Sequence, residues 1–177
     1  MASTPAISIC TFDDVLADGT AVHVRPISPS DKAALAAFHE GLSPESVYRR
    51  FFNAHPHLTE EEATRFTTVD FQNRLAMVAI IDGKLVAVAR FDRINLTDTA
   101  EVAFVVADAY QGRGLGTLLL KALVCAGREL GIRRFVADTL STNQPMRDVF
   151  RGGGFQLSQS FRDGVVHVEF PIAERRA

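Results

Sequence analysis

Residues 111–117, Gln-Gly-Arg-Gly-Leu-Gly-Thr, set three glycines, an arginine and a threonine between an apolar run and a helix-periodic stretch. Gly112, Gly114 and Gly116 let the backbone pass close to a ligand, and a helix starting near Gly114 offers unpaired N–H groups at its positive dipole end. Such a helix start suits phosphate. Arg113 can add a charge-assisted contact and Thr117 a hydroxyl, so the pattern points to a pyrophosphate. A dinucleotide loop needs a third glycine where Thr117 stands, and a nucleoside triphosphate loop needs Gly-Lys-Ser/Thr, which is absent. Taken by themselves, the glycines also fit a tight strand-to-helix turn with no ligand.

Other reactive side chains are sparse. Cys125 shares an apolar helix face with Leu118 and Ala122 and reads as a buried structural thiol rather than a nucleophile. Cys10 and Cys125 have no metal-pair spacing and make no disulfide framework. His55 and His57 are too close together and too isolated to complete a metal site, so no metal is expected.

The elements that position the loop follow from local signals. Asp18-Gly19 is a turn, followed by a strand over 21–26 with a short partner before it. Ser30 is read as the N-cap of a helix ending near Gly41; Ser43-Pro44 opens a second, and Thr59 with Glu62 forms the capping box of a third. Runs 75–82 and 84–94 form a hairpin through Asp82-Gly83, and 99–106 is the next strand. A helix then runs from Gly114 to about Leu130, a strand covers 132–140, Asn143 opens a helix ended by Gly152–Gly154, and 155–161 with 165–170 closes the chain as a hairpin through Asp163-Gly164. The order predicts an α+β fold with one parallel crossover.

A chain of 177 residues suits one domain, placed at 21–172 after an N-terminal segment (1–20) and before a short tail (173–177). A net charge of -2 gives no basic excess for nucleic acid. Without a signal-like N-terminus or an apolar run of about 18 to 20 residues, the expectation is no membrane association and a cytoplasmic location.

Gln111-x-x-Gly114-x-Gly116, after a strand and opening a helix, resembles the acyl-CoA pyrophosphate loop of the GNAT superfamily of N-acetyltransferases, and the element order is similar over about residues 21–170. The segment "VRPISPSDKAALAAFHEGLSPESVYRRFF" resembles the opening of Pat-type protein lysine acetyltransferases, with "LSPES-Y-RFF" its most distinctive part. The resemblance implies a GNAT fold: a mixed, mostly antiparallel sheet splayed at the acyl-CoA site, with helices on both faces. It implies acetyl-CoA as cosubstrate and direct transfer to an amine, a protein lysine ε-amino group first. The alternatives are a small amine, or a non-catalytic acyl-CoA-binding regulatory module; the oligomer would be a monomer or a dimer. It assigns Glu101 as general base, with a raised pKa if Val102 and Phe104 close around it, against the plain alternative of an exposed strand glutamate. A backbone N–H near Phe104 to Val106 would polarise the carbonyl, and the pantetheine arm would pair along Val105 and Val106. Gln111, Gly112, Arg113, Gly114, Gly116 and Thr117 would hold the pyrophosphate, and Asn143, otherwise an ordinary N-cap, the CoA arm. The chain departs from the pattern at Phe150, where many members place a tyrosine that protonates the departing thiolate.

Overall fold

The computed structural model describes residues 10–173. Eight strands form one sheet in the order β1-β2-β3-β4-β5-β6-β8-β7. They are β1 (Phe12–Val15), β2 (Ala21–Pro26), β3 (Arg74–Ile81), β4 (Lys84–Arg93), β5 (Thr99–Val106), β6 (Arg134–Leu140), β7 (Ser158–Arg162) and β8 (Val165–Pro171). Helices α1 (Lys32–Glu40), α2 (Pro44–Phe51) and α3 (Glu60–Thr67) precede β3; α4 (Leu115–Glu129) and α5 (Gln144–Gly152) flank β6. Every neighbouring pair is antiparallel except β5 with β6, the single crossover through α4.

Turn chemistry fixes the hairpins. Asp82 and Gly83 have φ of 49° and 74°, and Asp163 and Gly164 have 51° and 77°, the paired positive values that match the twist of the flanking strands. Residues 85–91 of β4 are buried without interruption, as a central strand covered on both faces must be. One face packs on α4 through Leu115, Leu119, Ala122, Leu123 and Ala126, at helical spacing. The other is covered by α1 to α3, with Ile27, Leu35, Phe38 and Val47 against Ala76, Val78 and Val88.

The caps at Ser43 and Thr59 form as expected: Ser43 Oγ accepts from Ser46 N at 3.2 Å, and Thr59 exchanges bonds with Glu62 at 2.8 and 3.1 Å. Ser30 is not an N-cap. A 3-10 turn at Pro29–Asp31, boxed by Ser28 and Asp31, leads into α1; Asp31 stands at the N-cap position without a side-chain capping bond, its carboxylate gripped by Arg25 at 2.7 and 2.8 Å and accepting from Ser28 N. The last hairpin begins at Ser158 instead of Phe155, because Phe155 turns in to stack on Phe170 at 5.1 Å. At the other end, β1 pairs Phe12 with Val24 and Val15 with Ala21, carrying the sheet into the segment ahead of residue 21.

One irregularity matters most for the site. β5 and β6 pair over three residues only, Thr99 with Arg134, Ala100 with Phe135 and Glu101 with Val136. Beyond Glu101, β5 stays on β4 as far as Val106, while β6 stays on β8 as far as Leu140. The sheet therefore opens into a wedge between Val102–Val106 and Ala137–Leu140.

Candidate active site

The wedge is a cleft of about 510 Å³, within the range that holds a medium-sized ligand. Its walls are the freed edge of β5 and the β6 residues Ala137 to Thr139; Phe150 lies at its base, and the 111–117 loop and the start of α5 close its ends. Phe150 is 1% exposed and sits edge-on to Phe104 at 5.9 Å and near Phe170 at 5.7 Å, so it is a core side chain that also meets the cleft. It carries no hydroxyl.

Strand alternation determines which backbone groups face the opening. Ala107 N donates to Val86 O at 2.8 Å, so the polar groups of Val105 turn toward β4, and those of Phe104 and Val106 turn into the wedge. The exposed edge is thus Phe104 with Val106, in place of the Val105–Val106 edge expected from sequence. Gln111 occupies part of it: its Nε2 donates to Val106 O at 3.0 Å and to Ser46 Oγ at 3.0 Å.

The glycine loop divides into two kinds of glycine. Gly112 and Gly114 have φ of 72° and 93°, and a Cβ at either would meet nothing within 4 Å, so open space lies where a side chain would stand. Gly116 is different. A Cβ there would lie 2.9 Å from Val149 Cγ2, so its small size is spent on the close approach of α4 to α5. Gly114 is the N-cap of α4 and has no capping side chain, which leaves the first-turn N–H groups of Leu115, Gly116 and Thr117 without a cap. All three residues line the cleft.

Arg113 does not line it. Its Nε bonds Asp18 Oδ2 at 2.7 Å, its other guanidinium nitrogen bonds Thr20 Oγ1 at 2.6 Å, and it stacks over Tyr110. That contact holds the Asp18 carboxyl well below the usual carboxylate range and pins the loop to the β1–β2 turn. Asn143 caps α5 as expected, its Oδ1 accepting from Met146 N at 3.3 Å, and it is buried beside the cleft.

Glu101 is exposed, at the last paired position before the wedge and opposite Asp92 of β4. Val102 and Phe104 do not enclose it, because alternation sends their side chains to the other face of the sheet. The cleft lining begins one residue later, at Val102, so Glu101 stands at its mouth on the side covered by α2.

Sequence reasoning missed the anchor of the loop. Asp108 accepts from Ser43 N at 2.9 Å, Ser43 Oγ at 2.6 Å and Ser46 Oγ at 2.8 Å, so it fastens the first turn of α2 to the loop. Its partners lie more than 60 positions earlier, where no local spacing signals them. The expected loop histidines are held by carboxylates, His55 by Glu62 and His57 by Glu40. Burial and a hydrogen bond to Cys125 push the Cys10 thiol up to about 12, which keeps it protonated.

A family profile described as the acetyltransferase (GNAT) family matches residues 39–155, which contain the α2 anchor, the freed strand and the glycine loop. The chain belongs to the GNAT acetyltransferase family. The fold of this GNAT chain superposes on the crystal structure of the GNAT domain of S. lividans PAT with a TM-score of 0.88 and 42% identity, covering 96% of this chain and 99% of that one. It is 34% identical over 154 residues to acetyltransferase Pat of Mycolicibacterium smegmatis, matching 85% of this chain and 45% of that protein. The chain therefore spans just under half the length of that curated relative. A putative acetyltransferase from Salmonella typhimurium, solved with its cofactor acetyl-CoA, shares the fold at a TM-score of 0.70 and 21% identity, with 88% of this chain and 96% of that one covered.

Proposed function

We propose that this GNAT enzyme transfers acetyl from acetyl-CoA directly to an amine, with a protein lysine ε-amino group as acceptor. The carrying observation is that the freed β5 edge, the open turn at Gly112 and Gly114, and the uncapped start of α4 border one continuous cleft. A long arm ending in pyrophosphate needs that succession: an edge for its amides, then backbone donors for its phosphates. Acetyl-CoA supplies the activated thioester. On this reading the Phe104 N–H points to where charge develops on the acyl oxygen, and the α4 first turn with Thr117 binds pyrophosphate. Arg113 contributes by fixing the loop to Asp18 and Thr20 more than by touching phosphate.

A lysine amine has a pKa of roughly 10.4 and must lose a proton to attack. Glu101, at the cleft mouth, takes that proton, through one water where the acceptor does not reach it. Phe150 supplies none to the leaving thiolate, which departs toward solvent. The choice of a protein lysine rests on the likeness to the PAT domain and on the Pat-like α1–α2 segment that covers the Glu101 face.

Thiol release from acetyl-CoA with a panel of lysine peptides and small amines tests this reading. Glu101→Gln is expected to lower kcat/KM by about 10² to 10⁴ while acetyl-CoA still binds. Unchanged turnover would remove Glu101 as base. Tight CoA binding with no turnover on any amine would replace the enzyme reading with a binding module.

A further inference from the structure

A small chamber of about 30 Å³ lies next to the cleft on the side of α2, and Arg50, Ala103 and Val105 line both. Leu35, Phe38, Phe51 and Phe66 form its apolar walls, and His39, Arg50 and Arg90 supply its polar side chains, His39 being engaged through Nε2 with His55 O at 2.6 Å. Arg90 is 7% exposed, lies 4.5 Å from the Phe66 ring centre, and donates a long bond of 3.4 Å to Phe66 O. Arg50 lies over Phe51 at 4.7 Å. Among the described residues neither arginine forms an ion pair, although the adjacent Arg49 is paired with Glu45 at 2.7 Å.

Two like-charged guanidinium groups beside an apolar chamber, one of them buried and without a counter-ion, form an expensive arrangement. Burial, reinforced by the neighbouring Arg50, pushes Arg90 down to about 9. Asp92 bears on both arginines and Glu101 on Arg50, in each case without forming an ion pair. A carboxylate entering from the cleft would relieve the repulsion, and its planar pair of oxygens matches the guanidinium fork. Room for about one or two water-sized groups admits a carboxylate more readily than a four-oxygen phosphate.

We propose that Arg50 and Arg90 form a carboxylate subsite for the acceptor, so that the enzyme prefers amines whose own molecule carries a carboxylate. This rests on the acetyltransferase reading above. Ala103 lies two residues beyond Glu101 on the same strand face, about 7 Å along β5. Amine and carboxylate are therefore held about one extended side chain apart. The carboxylate comes either from an acidic residue beside a peptide lysine or from the α-carboxylate of a free amino acid.

The test compares kcat/KM for Nα-acetyl-lysine, Nα-acetyl-lysine amide, and lysine tripeptide amides with and without a flanking glutamate. At least one acid-bearing acceptor should exceed its neutral counterpart about tenfold, as a charge-assisted contact gives, and the arm that does so identifies the source. Arg50→Gln and Arg90→Gln should each collapse that ratio; Arg50→Gln carries the test if the buried replacement does not fold. Equal rates for acidic and neutral acceptors, or variants that slow both alike, overturn the proposal. Glutarate titrated against the Ala103 and Val105 amide signals gives a readout without turnover. If no amine is acetylated yet glutarate shifts those signals in the native chain and not in Arg50→Gln, the catalytic reading fails and the anion site stands. If glutarate moves nothing, the subsite itself is refuted.

Discussion

Gly116 gives the sharpest test of how α4 and α5 are set around the cleft. An added Cβ would stand 2.9 Å from Val149 Cγ2, where ordinary contact begins near 3.4 Å, so one helix must yield by about 0.5 Å. Overpacking of this size costs about 1 to 3 kcal/mol, while alanine in place of glycine in a helix returns up to ~1 kcal/mol. Gly116→Ala should therefore destabilise the native chain by about 1 kcal/mol, or ~2 to 4 °C in Tm for a chain of this length. In a Val149→Ala background the obstructing methyl is gone, and the same change should stabilise by ~0.5 kcal/mol. Denaturant unfolding of the four proteins in this cycle measures a coupling of about 1.5 kcal/mol with a change of sign. The same sign in both backgrounds, or additivity within about 0.5 kcal/mol, refutes the packing role of Gly116.

Two further outcomes follow from the hydrogen bonding around the cleft. Ser46→Ala removes a donor from Asp108 and an acceptor from Gln111, so Tm should fall by ~2 °C and CoA affinity several-fold by calorimetry; a drop in neither breaks the proposed tie between α2 and the loop. His167 is raised above the usual histidine value, first by its bond to Asp138 at 2.7 Å and then by Glu169. A raised folded value means the stabilisation is complete below the unfolded pKa of about 6.5 and is lost as pH rises through the folded one. Asp138→Asn should therefore lower the His167 titration midpoint by NMR, and its stability deficit should be largest at about pH 5 to 6.5 and shrink at higher pH; an unmoved midpoint contradicts the pairing.

Where the sequence and the structure agree, the deciding forces are local. Asp82-Gly83 and Asp163-Gly164 specify their turns within two residues, and Ser43 and Thr59 cap helices whose N–H groups lie three positions on. Where they differ, a side-chain partner outside the expected pattern intervenes. Arg25 grips Asp31 six positions on, next to the cap expected at Ser30, and Asp18 holds Arg113 across 95 positions. The glycine spacing correctly marked a backbone that must turn, but only Val149 reveals that Gly116 serves packing. Glu101 was legible as a strand carboxylate at the loop's approach; its place at the cleft mouth follows from alternation together with the early end of β5–β6 pairing, which is a property of the sheet.

The three-residue seam between β5 and β6 also divides the molecule along its chain. Every strand before α4 lies on one side of it, β1 through β5, and every strand after α4 lies on the other. The polypeptide crosses once, through α4, whose first turn borders the cleft. The sheet is thus two consecutive leaves whose strands meet over three residues, held together behind that seam by α4 and the Phe91–Phe135 contact. Whatever fills the cleft therefore touches both leaves at once.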